Sequence, residues 1–475
     1  MTTVRNIARN SLFLFSGQII SLVLGAFYFF YMARYLGEVN LGILSLALSI
    51  TVIIGLIGDL GLSSLMTREV SRNQSTAPKY LGNFLLMKTL LAIITFGITV
   101  IVVSLLGYSE QKANVVYIIT LSNIALNFTQ VFNSAFQAFE RFEFQSLGTI
   151  LNSILMTVGV LFAVEQKFDL ISFASIYLIV NAIIFVSSFF VCMRKFAVPD
   201  LKIDWTFWKQ TISESIPFWL NSVFVIIYFK TDMVMLSMIK GDAMVGWYAA
   251  SYRLIDALSI IPVVLMSSMY PVFSRFYVSS RDSLQFALSK SFKLLAIIAI
   301  PIGIGTTILA ERIIVFLYGA QFLPSVSALQ ILIWASVLSF VNYPPSTYFT
   351  STNRQTTLMV FTFIGAILNI ILNLILIPRF SYNGAAVATV SSELVVGLLM
   401  IYSIHKIQNS STLFSDFILK SLIAGAFMAV FILIFQNYIL ILLILLAAIV
   451  YFIVLYILKG FEKEDIDLFY QVFGR

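Results

Sequence analysis

The chain has 475 residues, of which 60% are hydrophobic and only 11% charged; soluble domains carry about a quarter charged residues, so this is the composition of a polytopic membrane protein. One cysteine, Cys192, and one histidine, His405, leave no material for a disulfide framework, a thiolate cluster or a His-rich metal site. The net charge of +7 sits in short segments between apolar runs, where it orients helices rather than binding nucleic acid.

The first apolar run, 12–33, follows Arg5 and Arg9. It is too long for a signal-peptide core and lacks a small-x-small cleavage site, so it is expected to be a retained span. Further spans are expected at 41–66, 84–107, 114–137, 147–164, 171–193, 214–239, 244–274, 293–317, 325–349, 357–377, 384–404, 418–436 and 439–458. Closely packed pairs make the expected total twelve to fourteen. All should be helical, because a segment exposed to lipid must satisfy its own backbone hydrogen bonds and nothing here alternates like a barrel strand. The fold class is therefore all-α and polytopic. Its expected divisions are a six-helix bundle at 1–193, a cytoplasmic loop at 194–213, a second six-helix bundle at 214–405, and two further helices with a tail at 406–475.

Lysine and arginine set the orientation. With the N-terminus in the cytoplasm, most of them fall in inside segments, including Arg68, Arg72, Lys79 and Lys88, then Arg194, Lys195, Lys202 and Lys209. The outside segments hold only Arg34, Lys112, Lys167, Lys240, Arg312 and Arg379. That bias places both termini in the cytoplasm. The loop at 194–213 is too short for a soluble catalytic domain, and its Asp204–Lys209 stretch, with Trp205 and Trp208, suits an interfacial helix.

Gly37-Glu38-Val39-Asn40-Leu41-Gly42, between the first two spans, recurs as Gly241-Asp242-Ala243-Met244-Val245-Gly246 between the seventh and eighth. The copies have the same orientation across the membrane, as in a parallel two-bundle repeat. The first six expected spans contain no proline, whereas Pro217, Pro262, Pro271, Pro301 and the pair Pro344-Pro345 lie in or beside later spans, each removing one helical hydrogen bond.

The hairpin at 213–277 holds Lys230, Asp232, Arg253 and Asp256. Ionisable groups at mid-bilayer cost roughly 2.5–3.5 kcal/mol each on insertion scales, so they need partners, water or a ligand. With a turn at Lys240–Ala243, Asp232 and Arg253 lie roughly 12–17 Å below it, near the middle of a ~30 Å hydrocarbon slab. Two readings remain open: ion pairs of Lys230 with Asp256 and Arg253 with Asp232, or a cationic Lys230 and Arg253 lining a cavity for an anionic head group. Other polar residues at membrane depth include Asp59, Asn133, Gln137, Asn221, Asn342 and Glu393, with the i,i+4 pairs Asn123/Asn127 and Asn369/Asn373. Interhelical hydrogen bonding explains such amides, and so does binding of sugar hydroxyls.

Taken together, these stretches resemble the polysaccharide-biosynthesis, or O-antigen flippase (Wzx-type), branch of the multidrug/oligosaccharidyl-lipid/polysaccharide (MOP) exporter superfamily. The resemblance is carried by Ala33-Arg34-Tyr35-Leu36-Gly37-Glu38 through Gly42, Asp59-Leu60-Gly61-Leu62 with Arg68-Glu69, Asp232, and Val245-Gly246-Trp247-Tyr248 through Arg253-Leu254. Tyr270-Pro271, Asn369, Asn373, Ile377-Pro378-Arg379-Phe380, and Asn383-Gly384-Ala385-Ala386 with Glu393 continue it to about residue 405. The resemblance implies a V-shaped pair of six-helix bundles plus two helices, and alternating-access transport of a polyprenyl-diphosphate-linked oligosaccharide across the cytoplasmic membrane. Its partners would be that lipid-linked cargo, membrane lipids and glycan-assembly proteins. It implies no cofactor beyond a coupling ion, a proton or sodium, for which Asp59, Asp232 or Glu393 could serve. The sequence departs from the pattern at Ser381, where glycine is expected. The competing readings are a MATE-type drug or cation exporter, disfavoured by the positive Lys230 and Arg253, a membrane-embedded glycan polymerase or ligase, disfavoured by the lack of a large external loop, and a passive scramblase.

Overall fold

A computed structural model describes the backbone of residues 2–408 and 417–461. The side chains of Arg5, Arg9, Pro217 and Asn221 lie outside the described residues. Among the described residues there is no strand, and twelve helical stretches are long and apolar enough to cross a membrane.

Two of these stretches, Ser16–Asp59 and Gln355–Ile407, are each twice a membrane span in length. Each contains one non-helical residue, Gly37 (φ 71°, ψ 177°) and Ser381 (φ 54°, ψ −136°), where the chain turns back. The twelve stretches thus contain fourteen spanning segments, with both breaks falling where the hydropathy pattern separates two spans.

The helices are α1 (Thr2–Asp59), α2 (Leu62–Arg72), α3 (Ala77–Leu105), α4 (Glu110–Ala138), α5 (Phe142–Glu165), α6 (Leu170–Lys195) and α7 (Trp205–Lys240). They continue with α8 (Asp242–Leu258), α9 (Ile260–Ser279), α10 (Arg281–Tyr318), α11 (Ser325–Ser351), α12 (Gln355–Gln408), α13 (Phe417–Ile434) and α14 (Leu440–Ile457). Their ends follow local chemistry. Asp169 caps α6, accepting from the Ser172 N–H at 3.0 Å, and Asp204 caps α7, accepting from the Phe207 N–H at 2.9 Å. Trp205–Lys209, which follow that cap, open the 36-residue α7, whose apolar span begins only at Phe218. Between α8 and α9 the helix yields at Ser259, three residues before Pro262, whose missing N–H cannot bond the Leu258 carbonyl.

The chain divides into two compact units, Met1–Gly246 and Trp247–Arg475. In the first, α1 packs on α4 and α5, α4 on α6, and α7 runs along α1 and α2. Its aromatic core gathers Phe84, Phe132 and Phe136 with Trp208, whose indole N–H donates to Asn83 at 2.8 Å. In the second, α10 packs on α11 and α11 on α12, while α13 and α14 attach to α10. Tyr451 of α14 donates to the Ile297 carbonyl at 3.0 Å, and Arg312 donates to the Tyr438 carbonyl at 2.6 Å.

The repeated glycine motif has a packing role. A Cβ on Gly42 would lie 1.8 Å from the Asp242 carbonyl oxygen, and one on Gly246 would lie 1.9 Å from the Glu38 carbonyl oxygen. The second half of α1 and the start of α8 therefore touch backbone to backbone, each copy supplying the glycine that the other copy's first turn needs.

Candidate functional site

The hairpin charges occupy two helices. On α7, Lys230 is half-buried and Asp232 is 1% exposed, its carboxylate accepting from the Met233 N–H at 2.8 Å. On α8, Arg253 is half-buried and Asp256 exposed. The turn between the helices is fixed at Gly241 (φ 90°). Just beyond it Asp242 meets Lys112 of α4, whose ammonium is 2.6 Å from the Asp242 carboxylate and 3.1 Å from the Ser237 hydroxyl. Lys112 also lies 4.3 Å over the Tyr108 ring. Charge counting assigns Lys112 to an outside loop; instead it is buried in the first turns of α4, because an acid from the α7–α8 turn neutralises it.

A second charged cluster was missed by sequence reasoning, which treats Lys88 as one more cation of an inside segment. Lys88 is 1% exposed and lies within the apolar stretch of α3. Its ammonium is 2.5 Å from the Asp59 carboxylate, 2.7 Å from the Asn127 carbonyl and 3.3 Å from the Ser63 hydroxyl. Ser63 in turn donates to Asp59. Asp59 reaches this point because α1 ends there and Leu60 and Gly61, both at positive φ, reverse the chain into α2. Asn127 donates to Asn123 at 3.1 Å, and Gly55 and Gly58 of α1 leave the room both amides occupy. Four helices are thus tied by one charge pair and two amides. Flanking hydrophobics at 85–87 and 90–91 are the signal that marks Lys88 as a membrane-depth residue.

In the second unit the sequence-selected residues form two separate pairs. Asn373 donates to Asn369 at 2.8 Å on α12, both at most 1% exposed, and the Asn373 amide oxygen is buried without a partner among the described residues. Glu393, 7% exposed, accepts from Asn342 of α11 at 2.9 Å. Asn123 of the first unit lines a cavity of about 340 Å³; Asn127 is not among the lining residues.

Comparison with known proteins places this arrangement. The family described as polysaccharide biosynthesis protein matches residues 7–277, and the MatE family matches residues 217–375. The probable low-salt glycan biosynthesis flippase Agl15 of Haloferax volcanii is 22% identical over 396 residues, covering 82% of this chain and 81% of its own. Among solved structures, the lipid II flippase MurJ in an inward closed conformation superposes with a TM-score of 0.77 at 17% identity, covering 98% of this chain and 100% of its own. An inward-facing multidrug resistance MATE family transporter of the MOP superfamily gives 0.64 at 14% identity, covering 81% of this chain and 96% of its own. These likenesses give the fold, and the match over more than half the sequence gives the lineage: the chain is a multi-pass membrane protein of the polysaccharide biosynthesis family.

Proposed function

We propose that this protein is a flippase that carries a polyprenyl-diphosphate-linked oligosaccharide from the inner to the outer leaflet of the cytoplasmic membrane, with both termini in the cytoplasm. The observation that carries the reading is the occurrence of two half-buried basic residues, Lys230 and Arg253, in predominantly apolar spans. A diphosphate cannot cross a low-dielectric interior without compensating charge, and an ammonium and a guanidinium supply it. The prenyl tail stays in lipid throughout, so only the head group needs protein around it. The names of the relatives, a glycan biosynthesis flippase and a lipid II flippase, support the same cargo class.

Translocation of this kind makes and breaks no covalent bond, so no residue is assigned a catalytic role. Alternating access coupled to a proton or sodium ion would draw on Asp59, Asp232 or Glu393, and the cargo would be handed over by glycan-assembly proteins. Drug or cation export is the rival reading, favoured only by the MatE match and the MATE neighbours.

The test is surface-glycan export in cells that depend on this chain. Lys230→Ala and Arg253→Ala should each abolish export with the protein still inserted at normal level. Normal export by both variants would reject the assignment, and cation-driven efflux from proteoliposomes would favour the rival. The double swap Asp232→Arg with Arg253→Asp distinguishes ion pairing from cargo binding: if it restores both expression and export, the pair is structural.

A further inference from the structure

The cavity of about 340 Å³ lies wholly inside the first unit, walled by α1, α4, α5 and α6. Its polar lining carries six side-chain amides, Asn123, Gln130, Asn133, Gln145, Asn152 and Asn181, beside five serine and threonine hydroxyls. None of its lining residues carries a charge. Such a wall is unusual at membrane depth, where each amide must find partners or cost stability.

The amides satisfy one another only in part. Asn152 donates to Asn181 at 2.9 Å, Asn181 to Ser122 at 2.7 Å and Asn133 to Gln130 at 3.3 Å. Gln145 accepts from Gln137 at 3.0 Å and Asn123 from Asn127 at 3.1 Å. Among the described residues, Asn181 has both amide atoms engaged in this way. Asn123, Gln130, Asn133, Gln145 and Asn152 each keep an amide atom that no group among the described residues takes up. Side-chain amides both donate and accept, so these atoms form a ring of mixed polarity that matches vicinal hydroxyls. Tyr28 and Tyr177 add two aromatic side chains to the wall, suited to the apolar C–H face of a pyranose. Phosphates and carboxylates would find no cation in this lining.

We infer that this cavity is a binding site for an uncharged sugar ring, separate from the basic residues that serve the diphosphate. The inference rests on the flippase reading for its biological cargo, and sorts that cargo by chemistry: neutral glycan to the amide cavity, anionic linkage to Lys230 and Arg253. The charged pair Asp59–Lys88 lies next to Asn127 rather than in the lining, which keeps the cavity neutral.

The experiment is a binding measurement on the full chain in nanodiscs, by saturation-transfer NMR with methyl α-glucopyranoside, methyl α-mannopyranoside and N-acetylglucosamine, and with glucose 1-phosphate and glucuronate as charged counterparts. Neutral sugars should bind and the two anions should bind less tightly. Asn133→Leu and Asn152→Leu should each raise the dissociation constant about tenfold, the size of one lost hydrogen bond. Gln145→Glu, which changes no volume, should abolish glucuronate binding altogether, and serves if the leucine variants fold poorly. Lys230→Ala, outside the cavity, should bind neutral sugars as the unaltered chain does, even where it abolishes export. Loss of sugar binding in Lys230→Ala, unchanged binding in all three cavity variants, no binding by any neutral sugar, or tighter binding of the anions would overturn the inference. Normal export by Lys230→Ala and Arg253→Ala with cavity-dependent sugar binding retained would refute the flippase assignment alone.

Discussion

Removing either partner of the buried Asp59–Lys88 pair should cost more stability than removing both. The Lys88 ammonium is 1% exposed and its nearest anion is Asp59, 2.5 Å away. Asp59→Asn keeps the shape but leaves that cation without its counter-charge, and stripping one partner from a buried pair typically costs about 3–5 kcal/mol. Lys88→Met strands the carboxylate instead. That side chain is 27% exposed, so water relieves part of the penalty and the loss should fall near the lower end, about 3 kcal/mol. The double variant buries no charge, and its deficit should shrink to about 1 kcal/mol, chiefly the bonds lost at Ser63 and the Asn127 carbonyl. Cys192 is buried and is the chain's sole thiol, so its reaction with a maleimide fluorophore on heating reports unfolding without added labels. On the usual scale of about 2–4 °C per kcal/mol, the single variants should melt roughly 6–20 °C below the unaltered chain. If Lys88→Met melts with the unaltered chain, or the double variant melts with the worse single, the two residues do not act as one unit.

Gly42→Ala and Gly246→Ala should each abolish stable expression or lower the melting temperature by more than 10 °C or so, because the added Cβ would meet a backbone carbonyl at 1.8 or 1.9 Å and neither helix can move locally. Ser381→Gly should stabilise the chain by about 1 kcal/mol, read as a small rise in the same melt, since Ser381 holds a φ of 54° with ψ −136° that glycine adopts freely. Outside the membrane spans, the hydrogen bond from Lys79 and that from the Phe207 N–H hold the Asp204 carboxyl below its ordinary 3.8. Its stabilising contribution is therefore full above pH 3.8 and is lost as pH falls through the depressed folded value. Asp204→Asn should flatten the acid side of the melting profile below about pH 4, and an unchanged profile would dismiss the Lys79–Asp204 contact as a source of stability.

Span positions were legible in the sequence because insertion into lipid is a local, nearly additive property of about twenty residues at a time. The glycine repeat was legible for a related reason: a short pattern at corresponding turns carries its meaning in place. Helix partnership is different. Asp59 and Lys88 lie 29 residues apart on helices whose faces are set by packing, and nothing in either flanking sequence names the other. Counting cations by loop sends Lys88 and Lys112 to the membrane edges, yet both are buried beside an acid that the fold supplies. The amide cavity was half legible. Asn123 stood out for its i,i+4 partner, whereas Asn152 and Asn181 meet across α5 and α6 with no shared periodicity to reveal them.

Ser381 shows where a family pattern carries physical information that a single sequence obscures. Gly37, Gly241 and Gly319 each sit at a helix break with φ between 71° and 90° and ψ between 173° and 177°. Ser381 occupies the same kind of break, its φ of 54° again positive and its ψ of −136° again far from helical. Four hairpin turns therefore impose one class of backbone conformation whatever residue fills them. Three are filled by the residue that pays no steric cost, and the fourth by one that does, with its hydroxyl buried and unpartnered among the described residues. The conformation persists because the turn is flanked by two long helical halves, and the Glu393–Asn342 contact ties the half that follows it to α11. Strain at that turn follows from the fold around it, and relieving it by substitution leaves the Glu393–Asn342 contact in place.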